Sequence, residues 1–197
     1  MAIEYAAPIV ILAGGAAERF GSNKALAELG GKPLVAHVIE RLRSQTSAAM
    51  AINTNSDQDF AHFRGPKIGD GAQRGLGPLA GILAALHWSK NAGADYVVTT
   101  AVDVPFIPLD FVKRLIEAGA PSIAMSDGRW HPLNGLWKCS QIDALEEYLR
   151  SGRRSAHGWA ERCEASIAEF EVSAEGNDPF WNINTPTDLD RIASRLR

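Results

Sequence analysis

Apolar residues along this chain fall into two alternating patterns, and the alternation predicts the architecture. The run Ile9-Val10-Ile11-Leu12-Ala13 has no polar member, as expected of a central parallel strand covered by helices on both faces. Further strands are predicted over residues 48–52, 66–68 and 95–102. Between the strands the spacing becomes helical. Leu34, Val35, Val38, Ile39 and Leu42 share one face behind Pro33, and Leu79, Ile82, Leu83 and Leu86 do the same behind Pro78. Downstream, helices are predicted over 109–118 and 141–150 and strands over 122–125 and 133–137. A last helix is predicted from Pro186 through Leu189, Ile192 and Leu196, with Thr185 as its N-cap. Strands separated by ordinary helices imply a mostly parallel, Rossmann-like sheet in a three-layer α/β/α sandwich.

Polar residues are placed with equal regularity. Gly14-Gly15, Asn53, Asp70 and Asp103 each follow the carboxyl end of a predicted strand, the edge where open α/β sheets bind ligands. Four loops therefore converge on one crevice. Residues 71–78, with Gly71, Gly75 and Gly77 behind Gly69, are expected to form a mobile loop.

Composition narrows the classes without choosing among them. At 197 residues one domain is expected, and 46% apolar with 22% charged residues is ordinary for a globular protein. With 20 Lys and Arg against 23 Asp and Glu, the net charge of -3 argues against a general nucleic-acid binder. Cys139 and Cys163 lack the spacing of a zinc site or a disulfide framework, so reduced thiols in the cytoplasm are expected. The amino-terminal residues lack the basic start of a signal peptide, and no segment has the apolar length of a membrane span.

The segment from Leu12 to Lys24 carries the strongest local signal. Gly14-Gly15 permits a tight turn that brings bare backbone N–H groups against phosphate oxygens, and Arg19 and Lys24 can neutralise a polyphosphate. The alternative is a structural glycine turn with solvated basic side chains. Neither common phosphate-loop pattern is present. Asp103, in Asp103-Val-Pro-Phe106, suits Mg2+, which takes one or two protein oxygens beside substrate phosphates; the competing role is a helix cap. Asp70 divides between ligand contact and a turn. Asn53 and Asn55 offer amides for a base edge or ribose, or serve turns. Asn182 and Asn184 precede the last helix, whose entry chemistry accounts for Thr185 and Pro186 without needing both asparagines. His37 reads as packed, whereas His131 has either a substrate-side or a structural role. Arg150, Arg153, Arg154 and His157 form a basic cluster for an anionic substrate or for solvent.

Leu12-Ala-Gly-Gly, Arg19-Phe20-Gly21, Lys24 and Gly31-Lys-Pro-Leu34 together resemble the signature of the nucleotidyltransferases. Within them the chain is most similar to the molybdenum cofactor guanylyltransferases. Gly77-Pro-Leu-Ala-Gly81, Asp103-Val-Pro-Phe106, Arg129-Trp-His-Pro132 and Asn182-Ile-Asn184-Thr-Pro186 extend the resemblance over nearly the whole chain. Two departures are Ala16 in place of a basic residue and a shorter stretch between Gly21 and Lys24.

The resemblance implies the fold of the nucleotide-diphospho-sugar transferases over residues 1–197, with a nucleotide-binding part at about 8–106 and an acceptor-side part at about 107–197. It implies transfer of GMP from GTP to molybdopterin with release of pyrophosphate. Leu12, Ala13, Gly14, Gly15 and Lys24 would hold the nucleotide, and Asn53 and Asp70 would contact nucleoside or substrate. Asp103 would bind Mg2+ and act with Arg19 and Lys24 in catalysis, with His131, Asn182 and Asn184 on the molybdopterin side. Proteins that deliver molybdopterin or mature molybdoenzymes would be partners, and a monomer is expected. A cytidylyltransferase for molybdopterin or a sugar alcohol phosphate is the alternative within this chemistry; Gly14, where those relatives carry alanine, favours the larger guanine. A non-enzymatic nucleotide-binding module is the alternative outside it.

Overall fold

The computed structural model describes residues 6–14, 24–56, 58–60 and 63–193. In chain order these form β1 (Ile9–Leu12), a small hairpin β2 (Glu28–Leu29) and β3 (Lys32–Pro33), α1 (Leu34–Arg43), β4 (Met50–Asn53), β5 (Lys67–Ile68), α2 (Pro78–Asn91) and β6 (Tyr96–Ala101). Then follow α3 (Phe111–Ala118), β7 (Ser122–Ser126), β8 (Arg129–Lys138), α4 (Ile142–Arg150), α5 (Ala156–Arg162), β9 (Ser166–Phe170) and α6 (Pro186–Ala193). Seven strands make one sheet in the order β5-β4-β1-β6-β8-β7-β9. Every neighbouring pair is parallel except the two that β8 makes. The expected mostly parallel sandwich is what the chain forms.

The continuous apolar run of β1 has a direct cause. Ile9 and Ile11 point into a layer with Val35, Val38 and Leu42 of α1 and Phe111, Val112 and Leu115 of α3. Val10 and Leu12 point the other way, into Leu79, Ile82, Leu83 and Leu86 of α2 and Leu145 and Leu149 of α4. Each such side chain, buried at about 1.5–3 kcal/mol, helps offset the entropy of ordering the chain. With both faces covered, polar groups are left to the strand ends.

Three features depart from the sequence reading. The strand expected over 133–137 is the antiparallel β8, which starts at Arg129. It is joined to β7 by Asp127-Gly128, both at positive φ as a type I′ hairpin turn requires. Helix α5 and strand β9 were not foreseen. Residues 71–78, expected as a mobile loop, contain the 3-10 turn Gly71–Gln73, and Gly77 at φ 82 leads into Pro78 of α2.

The hairpin is irregular where it matters. Between His131 and Gly135 the β7–β8 register slips, so Pro132, Leu133 and Asn134 bulge from the ladder. β6 meets the bulge with its threonines: Thr99 donates to the Leu133 carbonyl at 2.9 Å, and Thr100 donates to Asn134 Oδ1 at 2.8 Å. The Ala101 N–H donates to the same oxygen at 3.1 Å, closing β6 two residues before Asp103. Asn134→Ala leaves two buried donors without that acceptor and should cost about 1–3 kcal/mol. Urea denaturation should show a lower midpoint with an unchanged slope; an unchanged midpoint would contradict this role.

Candidate active site

Because β1, β4, β5 and β6 are parallel, Leu12, Asn53, Ile68 and Ala101 end at the same edge of the sheet. Just beyond that edge, Asn53 and Asp70 meet. The buried Asn53 Nδ2 donates to the Ile68 carbonyl at 3.1 Å and to Asp70 Oδ1 at 2.8 Å. Asn55 Nδ2 donates to Asp70 Oδ2 at 2.7 Å, and its Oδ1 accepts from the Asp70 N–H. The carboxylate is thus held at both oxygens. Gly14 lies against this group: a Cβ on it would fall 3.3 Å from Asn53 Oδ1 and 3.8 Å from Asp70 Oδ2. Gly81, in the first turns of α2, presses from the other side, and a Cβ there would fall 2.5 Å from Asn53 Oδ1. Two glycines therefore give the buried amide its room, while the N–H groups that open α2 add a positive partial charge at this edge.

Asp103, two residues past the end of β6 at the same edge, joins three segments. Its carbonyl accepts from the Ile183 N–H at 3.0 Å, and its Oδ2 accepts from Lys24 Nζ at 2.7 Å. The same ammonium donates to Asn184 Oδ1 at 2.8 Å. Both partners of the ion pair are about one-fifth exposed. Among the described residues, Asp103 Oδ1 is buried without a hydrogen-bond partner. The helix-capping role is taken instead by the backbone position of Asp110, which precedes α3.

A carboxylate oxygen left without a partner fits a hard divalent cation that keeps waters and takes substrate oxygens. No cluster of three or more His, Cys, Asp or Glu side chains forms among the described residues.

Asn184, which Lys24 bonds, belongs to the wall of a cavity of about 470 Å3 lined by residues that include Arg129, Asp178, Trp181, Asn182 and Asp188. Ile183 is fully buried with Leu29, Leu34 and Ile192, which leaves the flanking Asn182 and Asn184 to the cavity. Asp188 Oδ2 accepts the Asn184 and Thr185 N–H groups at 2.8 Å each, and Thr185 Oγ1 accepts the Asp188 N–H in return, a reciprocal cap on α6. The bond from the Asn184 N–H is the first cause that holds the Asp188 carboxyl below the usual aspartate range.

His131 lies behind this cavity, not on its wall. It is 7% exposed, stacks on Phe180 at 4.8 Å, and its Nε2 lies 2.7 Å from Ser126 Oγ. Burial pushes its pKa below the ordinary histidine value, with the Asp178 carboxylate opposing that shift. His37 is a packed side chain bonded to the Leu29 carbonyl. In the basic cluster, Arg154 donates to the Leu149 carbonyl near the end of α4, Arg153 lies over Tyr148, and His157 stacks on Trp130. Gly15 and Arg19 lie outside the described residues. The structure therefore brings Leu12, Ala13, Gly14, Lys24, Asn53, Asp70, Asp103, Asn182 and Asn184 to one edge. Sequence reasoning missed Asp178 and Trp181 and gave no site role to Gly81 or Asp188, although Gly81 closes the Gly77-Pro-Leu-Ala-Gly81 motif and Asp188 stands three residues after a capping threonine.

A second cavity of about 490 Å3 lies at the opposite edge, between Pro8, Tyr96 and Leu136. Its lining carries one charged side chain, Asp95, which is unsuited to a polyphosphate.

The family model described as "MobA-like NTP transferase domain" matches residues 9–166. The chain is 42% identical over 192 residues to a molybdenum cofactor guanylyltransferase of Cereibacter sphaeroides, covering 95% of this chain and 96% of that one. It is 40% identical over 183 residues to the one of Acidiphilium cryptum, covering 92% and 91%. Among solved structures, molybdopterin-guanine dinucleotide biosynthesis protein A of Archaeoglobus fulgidus superposes with a TM-score of 0.74 at 26% identity, covering 96% of this chain and 98% of that one.

The contact between Gly81 and Asn53 gives a direct test of the geometry. Asn53 cannot yield to a new methyl without losing its bonds to Ile68 or Asp70, so Gly81→Ala should destabilise the fold by about 1–3 kcal/mol. Nucleoside triphosphate binding should weaken in parallel. Wild-type thermal stability and affinity in this variant would show that the amide is not confined.

Proposed function

The chain belongs to the MobA-like NTP transferase family, and on that premise we propose that it transfers GMP from GTP to molybdopterin. That it is a nucleotidyltransferase follows from the family; the guanine and molybdopterin specificities are the proposal. The observation that carries it is the bridge of Lys24 between Asp103 and Asn184, which ties the nucleotide edge to the cavity lined by Asn182 and Asn184. Two substrates need such a junction.

Gly14, with Leu12 and Ala13 beneath it, would let the nucleotide lie close to the backbone, and Asn53 with Asp70 would contact the nucleoside. Gly14 also leaves room for a purine. Arg19 and Lys24 would counter the charge of the triphosphate. Asp103 would hold a Mg2+ ion through Oδ1, and such an ion, when bound, supplies Lewis-acid neutralisation of phosphate charge. Asn182 and Asn184 would orient molybdopterin so that one oxygen of its phosphate faces the α-phosphorus of GTP. A P–O bond forms between them while the bond from the α-phosphorus to the bridging oxygen breaks, and its electron pair leaves with pyrophosphate. A phosphate nucleophile is already ionised near neutral pH. No general base is needed, which agrees with His131 being buried away from the cavity wall.

Pyrophosphate release measured with GTP, CTP and ATP in turn, with and without molybdopterin, tests this reading. Release should require GTP and molybdopterin together, and equal or faster release with CTP would overturn the base assignment. Asp103→Ala should slow single-turnover transfer by about a hundredfold or more, the scale of one preorganised electrostatic contact. Its melting temperature should change by less than about 4 °C, because the strand before it is buried without help from the carboxylate. Near-normal transfer at limiting Mg2+ would remove Asp103 from the chemistry. Replacing both Asn182 and Asn184 by alanine should weaken molybdopterin use at nearly unchanged GTP affinity. Loss of GTP affinity in the folded double variant would contradict this division of the crevice.

A further inference from the structure

Behind the acceptor-side cavity runs a short polar chain that the reaction itself does not use. Ser126, at the carboxyl end of β7, is fully buried. Its Oγ donates to Asp178 Oδ1 at 2.8 Å and lies 2.7 Å from His131 Nε2. A hydroxyl has one proton to give and a carboxylate only accepts, so the proton between Ser126 and His131 belongs to the histidine. His131 is therefore the Nε2–H tautomer, and all three groups are satisfied in one direction: His131 to Ser126 to Asp178.

Asp178 is where the chain takes hold of the cavity wall. Its Oδ1 also accepts the Phe180 N–H at 2.8 Å, and its carbonyl accepts the Trp181 N–H at 3.2 Å. Phe180 is buried face-on against His131 and edge-on against Phe170 at 5.1 Å. The next residues are Trp181, Asn182, Ile183 and Asn184, and Ile183 is bonded to Asp103. The segment 178–184 is thus pinned at one end by the polar chain and at the other by Asp103. Segments without regular hydrogen-bonded structure hold a geometry only when such anchors over-determine them.

We propose that Ser126, His131 and Asp178 are positioning residues for the acceptor substrate: the chain sets where Asn182 and Asn184 stand and thereby the affinity for the phosphate-bearing acceptor, not for the nucleotide. This rests on the acceptor-side reading of Asn182 and Asn184. It gives His131 a role through the segment it braces, without contact with the substrate.

The test compares Ser126→Ala and Asp178→Ala with the conservative Asp178→Asn, which keeps an acceptor oxygen at the same place. With GTP saturating, the KM for molybdopterin should rise about tenfold in both alanine variants, the scale of one lost buried hydrogen bond. The KM for GTP should stay within twofold, and Asp178→Asn should restore most of the loss. Hydrogen–deuterium exchange, which needs no turnover, should show faster exchange of the 178–184 amides in the alanine variants, with α2 unchanged. The proposal is overturned if 178–184 exchanges as in the wild type, if both KM values rise together, or if Asp178→Asn is as impaired as Asp178→Ala. Failure of the functional reading looks different: the wild type itself would not transfer to molybdopterin, and the exchange measurement alone would then decide whether the chain braces the segment.

Discussion

The organisation of the site depends on one short contact, the 2.7 Å ion pair between Lys24 and Asp103. The two residues are 79 positions apart, yet each is delivered by an element that has little freedom. Asp103 follows β6, whose Val97 and Val98 are buried on opposite faces of the sheet. Lys24 opens a 3-10 turn whose Ala25 is buried against the core. An ion pair this close to the surface contributes little to stability by itself. Its importance is positional, because the same ammonium reaches Asn184 and the same aspartate holds Ile183. Loss of either partner would loosen the join between the two halves of the crevice.

Sheet topology explains why the second half lies there. β8 runs antiparallel to β6, so its first residues return to the edge where β6 ends. β7 and β9 run parallel to β6, so Ser126 and the segment after Phe170 leave from that edge as well. The hairpin turn at Asp127-Gly128 and residues 172–184 therefore rise beside Asp103 instead of below it. Reversing a single strand places the wall that carries Asn182 and Asn184 next to the edge that carries Asn53, Asp70 and Asp103. The bulge in β8, filled by Thr99, Thr100 and Asn134, lets the same strand satisfy β6 along one stretch and carry His131 beneath the wall along another.

Much of this was legible from pattern alone. Residues 9–13 could be read as a doubly covered strand because no polar residue interrupts them, and α1 and α2 declared themselves by spacing and by Pro33 and Pro78. Strand β9 was not, since Ser166-Ile-Ala-Glu-Phe170 is a short edge segment with only two buried residues, Ala168 and Phe170. The reversal of β8 had a signal in Asp127-Gly128, a hairpin dipeptide. At the site, glycine loops and carboxylates at strand ends marked Gly14, Asp70 and Asp103. The pairing of Lys24 with Asp103 and Asn184 carried no local signal, because long-range side-chain contacts leave none. His131 followed a turn and so resembled a surface residue; Phe180, 49 positions later, is what buries it.

The most direct measurement is a crystal structure of the protein with a non-hydrolysable GTP analogue, Mg2+ and molybdopterin. The account predicts that Lys24 exchanges its carboxylate partner for a phosphate oxygen of the nucleotide and that the cation sits on Asp103 Oδ1. The acceptor phosphate should lie against Asn182 and Asn184. A triphosphate bound away from this edge, or one that leaves the Lys24–Asp103 pair closed with Asp103 Oδ1 still unpartnered, would contradict it.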